Sequence, residues 1–250
     1  MTTLRVLLHV AAQRDYELHS LDFSTDFLQG SLHEEIWLRR PPGFTGTTLT
    51  ALGFAPSTTD PSLFLRTNTS LPPFYVLVYV DDLVFATADT EAQALAKSEL
   101  QKRHTCTDLG RSGLRLPVLL ATVHSSAYCT SSMGLVLGGW GPVVLTGHAD
   151  ASWVNDLATQ RTSQGYTFSL GSGSVSSRST RSSSVLSSSC EAEIYVGAMA
   201  AQELRWLTYL LTDLGERPCL SPVLYVDNKA MIALCQEHTL EHRTKHISLR

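Results

Sequence analysis

Two adjacent aspartates interrupt the longest strongly apolar run of the chain and restrict how this part can fold. The run extends from Phe74 to Val80, and Asp81 and Asp82 separate it from a second apolar, β-rich segment that ends at Ala86. This pattern predicts two strands joined at the aspartates. Adjacent carboxylates repel each other and are costly to desolvate, so a divalent cation beside them would stabilise the pair. The alternative is a simple hairpin turn, in which Asp is common.

The first half also contains predicted helices and a strand that carries a third carboxylate. Leu4 to Arg14 has a helical apolar spacing, and Tyr16 to Phe23 predicts a strand with Asp22 near its end. A polar helix follows the two apolar strands, with Thr90 as its N-cap and Gln93 as the reciprocal capping residue. Together with the adjacent aspartates, Asp22 would complete a set of three carboxylates that could hold two Mg²⁺ ions for phosphoryl transfer.

The chain loses regular patterning near its middle. Between Gly110 and Gly141, Gly, Ser and Pro alternate with short apolar fragments that keep no sustained period, as in a linker or a junction. The chain has 250 residues, of which 43% are hydrophobic, and this is enough for one large or two small domains. The predicted segments are a first region at 1–109, an irregular linker or junction at 110–142 and a second domain at 143–250.

The second half predicts the element order β-β-β-α-β-α. Its best-supported element is a long helix that Gly215 can close and whose apolar residues recur at steps of three and four. The predicted buried face consists of Ile194, Ala198, Ala201, Leu204, Leu207, Leu211 and Leu214. Before this helix, residues 171–189 are dominated by Ser with Gly and Arg, which fits either a low-complexity segment or a polar strand with its turns.

A second set of carboxylates is spread over these elements. Asp150 and Asp227 are each predicted at the end of a strand, and Glu193 lies in the first turns of the long helix. Strand ends and a helix on the same sheet can bring such residues together around metal ions. The alternatives are an exposed strand-end carboxylate for Asp150 and a helix N-cap for Asp227. Glu191 forms an S-x-x-E capping box with Ser188, which favours a structural role for it over Glu193.

The charge balance limits the functions of the whole chain. There are 19 Lys and Arg against 23 Asp and Glu, a formal net charge of −4, which excludes a uniformly basic nucleic-acid protein. A local basic cluster occupies residues 238–250, where it could follow a phosphate backbone or form a solvated helix face. His238 and His242 are four residues apart without a further ligand at a suitable spacing, so no zinc site is predicted there.

Cysteine usage and hydropathy predict an intracellular chain. The five Cys residues form no C-x-x-C pair, which argues against a disulfide framework and against a zinc ribbon. The N-terminal apolar stretch contains Arg5 and is too weak for a signal peptide, and no apolar run is long enough to cross a membrane. We therefore expect a cytoplasmic or nuclear protein without a membrane partner.

Several longer motifs occur in a fixed order along the chain. The first half contains LHSLDFSTDFLQGSLHEEIWLRRPPGF, LGFAPSTTDPSLF and LVYVDDLVFAT. The second half contains GHADASWVNDLATQRTSQGYTFSLGSGSVS, SSSCEAEIYVGAMAAQELRWL, LYVDNKAMIAL and HRTKHISLR. In this order the motifs resemble the Pol polyprotein of Ty1/copia-type retrotransposons, whose reverse transcriptase is followed by a ribonuclease H. The resemblance covers most of residues 4–109 and 143–250.

The resemblance implies a fold, two metal centres and substrates. It implies an α/β (α+β) chain with a partial reverse-transcriptase palm, followed by a ribonuclease H-like mixed sheet with flanking helices. It implies that Asp22, Asp81 and Asp82 hold the polymerase metal ions, and that Asp150, Glu193 and Asp227 form the ribonuclease H centre. The implied cofactor is Mg²⁺ or Mn²⁺, and the implied partners are an RNA template, an RNA/DNA hybrid and other products of the element.

The chain also departs from the family pattern. Between PPGF and LGF it has only a short stretch, whereas the family has a long segment with a "YGLKQ" block that helps to form the fingers and the nucleotide site. After Gly110 the expected remainder of the polymerase is replaced by an unrelated stretch, and the chain stops at Arg250 before a last acidic residue of the family. We therefore expect an internally deleted, C-terminally truncated Pol without processive DNA synthesis. The alternative is a catalytically inactive remnant that at most binds nucleic acid.

Overall fold

The computed structural model describes residues 2–23, 45–67, 71–79, 82–111, 119–121, 135–138, 143–156, 158–218 and 220–237. It combines helices with mainly antiparallel sheets, which confirms the predicted α/β (α+β) class. The chain divides into two compact units. The first comprises Met1–Trp140 with Leu210–Glu216, and the second comprises Gly141–Tyr209 with Arg217–Arg250.

An antiparallel sheet of six strands carries the first unit. Its elements are α1 (Thr2–Gln13), β1 (Glu17–Phe23), α2 (Thr45–Ala51), β2 (Ala55–Pro56), β3 (Leu63–Arg66), β4 (Phe74–Tyr79), β5 (Asp82–Thr87), α3 (Thr90–Arg103), β6 (Cys106–Arg111), β7 (Leu119–Ala121) and β8 (Leu135–Leu137). The strand order is β2-β3-β4-β5-β1-β6, while β7 and β8 pair with each other.

Strands β4 and β5 confirm the two strands predicted on either side of the aspartate pair. Tyr79 is the register partner of Asp82, so Asp82 is a strand residue at the start of β5. The apolar residues of this hairpin enter the core, where the Phe74 ring lies 5.0 Å from the Phe54 ring and 6.0 Å from the Phe85 ring. All three phenylalanines are almost completely buried, so the core fixes the strands that carry the carboxylates.

The N-cap of helix α3 lies one residue earlier than predicted. Its N-cap is Asp89, whose carboxylate accepts a hydrogen bond of 2.9 Å from the backbone N–H of Ala92. The prediction of Thr90 as N-cap is therefore wrong, because Thr90 is already the first helical residue. Gln93 therefore lies one position beyond the reciprocal capping place, and the backbone N–H of Asp89 donates instead to the Thr87 hydroxyl at 3.1 Å.

The segment predicted to be irregular contributes to the first unit. Within residues 110–142, β6 extends to Arg111, and β7 and β8 form a small antiparallel pair. Leu137 is fully buried, and the backbone N–H of Gly138 donates a 3.0 Å hydrogen bond to Nδ1 of His9 in α1. His9 is also fully buried, so this contact ties a residue far along the chain to the first helix.

A mixed sheet of four strands carries the second unit. Its elements are β9 (Leu145–Asp156), β10 (Arg161–Leu170), β11 (Gly173–Arg181), α4 (Ser189–Asp213), β12 (Val223–Tyr225) and α5 (Lys229–Glu237). The strand order is β11-β10-β9-β12, with β12 parallel to β9 and the other pairs antiparallel. The predicted order β-β-β-α-β-α is therefore present. The Ser-rich segment 171–189 contains β11, so of the two alternatives for this segment, low complexity or a polar strand, the structure has the strand.

Helix α4 buries a different face from the predicted one in its first half. Leu207, Leu211 and Leu214 are buried as expected, and Gly215 adopts a positive φ of 73° after the helix end. Nearer the start, Ala198 and Ala201 are exposed. The buried residues there are Ala192, Glu193, Val196 and Ala200. The predicted face is thus wrong over the first turns, and the correct one places Glu193 inside.

The Met231 side chain of α5 packs against Gly197 in the first half of α4. A Cβ added to Gly197 would lie 2.0 Å from Cε of Met231 in α5, so a larger residue there would force the end of the Met231 side chain to shift. Because α5 begins directly after Asp227 and Asn228, the contact holds Asp227 near the first turns of α4. No helix in the described part of the chain is long and apolar enough to cross a membrane.

The last turn of α4 and the residues after it belong to the first unit. Glu216 is buried and accepts two hydrogen bonds from the Arg14 guanidinium, at 2.6 Å from Nε and 2.9 Å from Nη2. The hydroxyl of Tyr75 donates a buried 2.7 Å hydrogen bond to the carbonyl of Leu214, and Ser57 donates one of 2.5 Å to Asp213. Residues 210–216 are thus held by Arg14, which directly follows α1, and by side chains of β4 and the β2–β3 connection.

Replacing Arg14 by Leu is expected to destabilise the first unit by about 2 kcal/mol. The change leaves the Glu216 carboxylate buried without its cation, and the half-exposed position of Arg14 reduces the full cost of breaking a buried pair. Hydrogen exchange measured by mass spectrometry should show peptides of α1 and β4 exchanging about thirtyfold faster than in the wild type.

Lys102→Leu is the matched control for this substitution. Lys102 pairs with Glu99 on the surface, where both side chains are solvated, so its loss should leave the exchange of the same peptides unchanged. Equal exchange rates in Arg14→Leu and in the wild type would contradict the structural role of the pair.

Candidate metal centre

Three of the predicted site residues come together in the second unit. Asp150 lies in β9, Glu193 in α4 and Asp227 directly after β12. Each offers a carboxylate oxygen, and these oxygens all lie within 4.8 Å of one another. Glu193 is buried, whereas Asp150 and Asp227 are exposed. The arrangement is a half-open cluster with one interior ligand and two ligands that face solvent.

Backbone pairing places the two aspartates. In the parallel pair of β9 and β12, His148 is the register partner of Tyr225. Asp150 lies two residues after His148, and Asp227 lies two residues after Tyr225. Because every second side chain along an extended segment points to the same side, the two aspartates come to lie side by side. Glu193 reaches the cluster from α4, and its Oε1 accepts a 3.3 Å hydrogen bond from the backbone N–H of Ala151.

The electrostatics of the cluster favour a bound cation. Burial raises the pKa of the Glu193 carboxyl, and the nearby charges of Asp227 and Asp150 raise it further, against the hydrogen bond from Ala151. The Oε2 atom of Glu193 is buried and has no hydrogen-bond partner among the described residues. A set of three carboxylates with an unpartnered oxygen suits a hard divalent cation such as Mg²⁺ or Mn²⁺. The residues therefore fit the implied metal.

Replacing Glu193 by Gln is expected to raise the unfolding temperature of the metal-free protein by a few degrees at pH 7. A carboxyl whose pKa is raised on folding stabilises the fold only below its unfolded pKa, and this stability is lost as the pH rises through the folded value. The neutral amide removes that loss. The measurement is the unfolding temperature of both proteins in EDTA at pH 5 and at pH 7. The difference in unfolding temperature between Glu193→Gln and the wild type should be larger at pH 7.

We expect Mg²⁺ to stabilise the wild type, and we expect the same substitution to remove most of this stabilisation, because it removes one of the three anionic ligands. A wild type that gains no stability from Mg²⁺ or Mn²⁺ would contradict the cluster as a metal centre.

Hydrogen bonds resolve the alternatives that the sequence left open. The Glu191 carboxylate accepts hydrogen bonds from the backbone N–H and the hydroxyl of Ser187, at 2.7 and 2.6 Å, while Ser188 accepts one from the N–H of Glu191 at 3.1 Å. Glu191 therefore caps the helix, as expected. The N-cap of α5 is Asn228, whose Oδ1 accepts from the N–H of Met231 at 3.0 Å, so Asp227 has no such role.

Asp150 is not at a strand end as predicted, because β9 continues to Asp156. It lies in the middle of the strand, opposite Gly165 of β10. The absence of a side chain at Gly165 leaves the cross-strand neighbour position of Asp150 open. The carboxylate is thus carried by a strand that pairs with β10 at this position, which is a more rigid support than a loop would give.

A cavity of about 650 Å³ adjoins the cluster. Its lining includes Asp150 and Asp227 together with the ring residues His148 and Tyr225. Sequence reasoning missed the two ring residues. The signal that could have found them is the strand period of two, because each ring residue precedes a site aspartate by two positions, as H-A-D and as Y-V-D.

The first unit brings together two of its three predicted carboxylates. Asp22 in β1 and Asp82 in β5 are direct register partners in an antiparallel pair. Such partners project to the same side of a sheet with Cβ atoms about 5 Å apart. Asp81 lies outside the described residues, as does the basic segment 238–250. The described pair is therefore compatible with a shared cation, and Asp82 is exposed at the start of β5.

The fold and the cluster define an α/β protein with three carboxylates that lie close enough together to share a metal ion. The chain is 25% identical to the retrovirus-related Pol polyprotein from transposon RE2 of Arabidopsis thaliana, over 99% of the chain and 25% of the relative. It is 23% identical to the Pol polyprotein from transposon TNT 1-94 of Nicotiana tabacum, over 100% of the chain and 28% of the relative. The chain is homologous to retrotransposon Pol polyproteins, which confirms the resemblance, and it spans about a quarter of their length.

Two further findings qualify this relationship. The alignment with the RE2 polyprotein runs over 371 positions while the chain has 250 residues, so the relative carries internal segments that this chain lacks. A shorter match, 39% identical, joins 32% of the chain to 56% of the secreted RxLR effector protein 161 of Plasmopara viticola. No family model and no solved structure matches the chain.

Proposed function

We propose that the second unit hydrolyses the RNA strand of RNA/DNA hybrids with Mg²⁺ or Mn²⁺. The observation that carries this proposal is the convergence of Asp150, Glu193 and Asp227 within 4.8 Å from three separate elements. The homology to Pol polyproteins supports a nucleic-acid substrate. The open cavity beside the cluster supports a substrate that lies across the sheet surface.

The chain's own residues have distinct tasks in this proposal. Two bound divalent cations would supply an activated water and charge stabilisation for the leaving oxygen of the phosphodiester. Asp150 and Asp227 offer the solvent-facing ligands, and Glu193 offers the interior one, oriented by the N–H of Ala151. Because Asp150 stands on a paired strand, Asp227 closely follows one and Glu193 stands on a packed helix, the site is preorganised and needs little rearrangement on binding.

Cleavage of a 5′-labelled RNA strand tests the proposal. The labelled strand is offered to the full chain in a hybrid with DNA, in a duplex with RNA and alone, with Mg²⁺, with Mn²⁺ and with EDTA. We expect cleavage of the hybrid with either metal and none with EDTA. Absence of cleavage in every metal condition, or equal cleavage of all three substrates, would reject the proposed activity.

The first unit is proposed to retain a cation-binding carboxylate pair without DNA synthesis. The register pairing of Asp22 and Asp82 supports the cation site. The missing family segment between PPGF and LGF would remove the nucleotide site on which positioning of the incoming substrate depends. We therefore expect no templated product in a primer-extension assay on an RNA template with Mg²⁺. Templated product that disappears in Asp81→Asn would overturn this expectation.

A further inference from the structure

A stacked pair of aromatic rings lies beside the candidate metal centre. His148 in β9 and Tyr225 in β12 are register partners, with ring centroids 5.0 Å apart and ring planes inclined by only 19°. Both side chains are exposed, and Tyr225 retains 52% of its accessible surface. The two rings therefore contact each other and still present apolar surface to solvent.

The ring pair and the two site aspartates form consecutive rows on neighbouring strands. Each ring residue precedes an aspartate by two positions, and such a step along a strand is about 6.6 Å. All four residues line the same cavity of about 650 Å³. A chain-like substrate with one group at the carboxylates would therefore have its next group at the rings.

The remaining lining of the cavity is rich in hydroxyls. Ser163, Thr167 and Ser179 contribute to it from β10 and β11. Hydroxyls can donate hydrogen bonds to phosphate oxygens or contact sugar hydroxyls without reading base identity. Aromatic rings can stack any nucleobase, because every base has a π-face. Hydroxyls and open ring faces in one cavity are thus the chemistry that a nucleic-acid strand requires.

We propose that His148 and Tyr225 form a stacking platform for an unpaired nucleobase of a strand whose phosphate lies at the metal centre. This inference rests on the proposed function of that centre. The platform sets the register of the strand, because a base stacked on the rings fixes which phosphodiester reaches the carboxylates. It recognises a nucleic acid through its base planes and is independent of sequence.

Replacing Tyr225 by Leu in the full chain tests the platform. The probe is a fluorescein-labelled single-stranded oligonucleotide, and the measurement is its anisotropy on titration with protein in EDTA. We expect about tenfold weaker binding, because the aromatic face is lost while an apolar side chain remains. His148→Leu, on the other strand, should weaken binding in the same direction. Tyr225→Phe should restore it, since the ring is kept.

Tyr209→Leu is the matched control, because Tyr209 in α4 is also half exposed and does not line the cavity. Thermal unfolding establishes that each variant is folded. Unchanged binding in both Tyr225→Leu and His148→Leu would overturn the platform. So would an equal loss in Tyr209→Leu, or a wild type that binds no oligonucleotide.

The assay separates this inference from the proposed hydrolysis. Because binding is measured in EDTA, it does not depend on a bound cation. Ring-dependent binding together with no hybrid cleavage in any metal would reject the hydrolysis and support the platform. Hybrid cleavage that is unaffected by Tyr225→Leu, with unchanged oligonucleotide binding, would reject the platform and support the hydrolysis.

Discussion

Replacing Asp227 by Asn is expected to reduce metal-dependent cleavage of an RNA/DNA hybrid by about a thousandfold or more. The amide keeps the shape of the side chain but removes a negative charge from a cluster in which three carboxylates meet within 4.8 Å. Charge stabilisation of this kind is among the largest contributions to catalysis of phosphoryl transfer. Single-turnover cleavage of the labelled hybrid in Mg²⁺ measures the loss. Asp150→Asn should give a similar reduction, because Asp150 is the other solvent-facing ligand.

The matched control is Glu191→Gln. Glu191 lies two residues before Glu193, and its carboxylate is bound to Ser187 at the helix start. Gln can take the same capping role, so cleavage should remain within about twofold of the wild type. Equal activity in Asp227→Asn and in the wild type would reject the proposed site. A thousandfold loss in Glu191→Gln would mean that the wrong glutamate has been assigned.

The choice between these two glutamates shows where sequence reasoning reaches its limit. In an α-helix, residues two positions apart project about 200° apart, so only one of them can face the sheet. The capping pattern at Ser188 predicted a structural role for Glu191, and its hydrogen bonds confirm that role. The sequence gives no distance between Glu193 and either aspartate, and the cluster itself appears only in three dimensions.

Other parts of the fold follow directly from local patterns. The alternation of apolar residues predicted β1 with Asp22 near its end, and the apolar runs on both sides of Asp81 predicted β4 and β5. These patterns are reliable because a half-buried or fully buried strand requires them. The pairing of β1 with β5, which places Asp22 opposite Asp82, joins distant segments and leaves no mark in the local sequence.

Helix α4 shows why a buried face can be misjudged. Its first half contains alanines on several sides, so steps of three and four fit more than one face. Ala198 and Ala201 fit the predicted face, whereas the structure buries Ala192, Val196 and Ala200. Small residues contribute little apolar area and do not distinguish these faces. The contacts of residues 210–216 with the first unit are also invisible in the sequence, because both Glu216 and Arg14 are ordinary surface residue types.

Lowering the pH from 7 to 4 is expected to destabilise the first unit by about 3 kcal/mol through His9. Burial lowers the pKa of His9 from 6.5 to about 4, although the charge of Glu216 acts in the opposite direction. Between these two values the unfolded chain binds a proton that the folded unit does not. The stability due to neutral His9 is therefore complete above pH 6.5 and is lost as the pH falls towards 4.

His9→Asn isolates this contribution. The amide oxygen of Asn can accept the hydrogen bond that Gly138 donates to Nδ1 of His9, and Asn does not titrate in this range. Hydrogen exchange of α1 and β4 peptides, compared between the two proteins at each pH, removes the intrinsic pH dependence of exchange. The variant should lose less stability than the wild type between pH 6.5 and 4, by about 3 kcal/mol.

Peptides of β10 in the second unit provide an internal control, because they should exchange equally in wild type and variant at every pH. Identical pH profiles for α1 and β4 in the two proteins would mean that below pH 6.5 His9 is protonated in the folded unit as it is in the unfolded chain. Below pH 6.5 the buried hydrogen bond from Gly138 could not then exist, because a protonated imidazole has no acceptor nitrogen. The contact between α1 and residues 135–138 would have to be held by the packing of Leu137 alone.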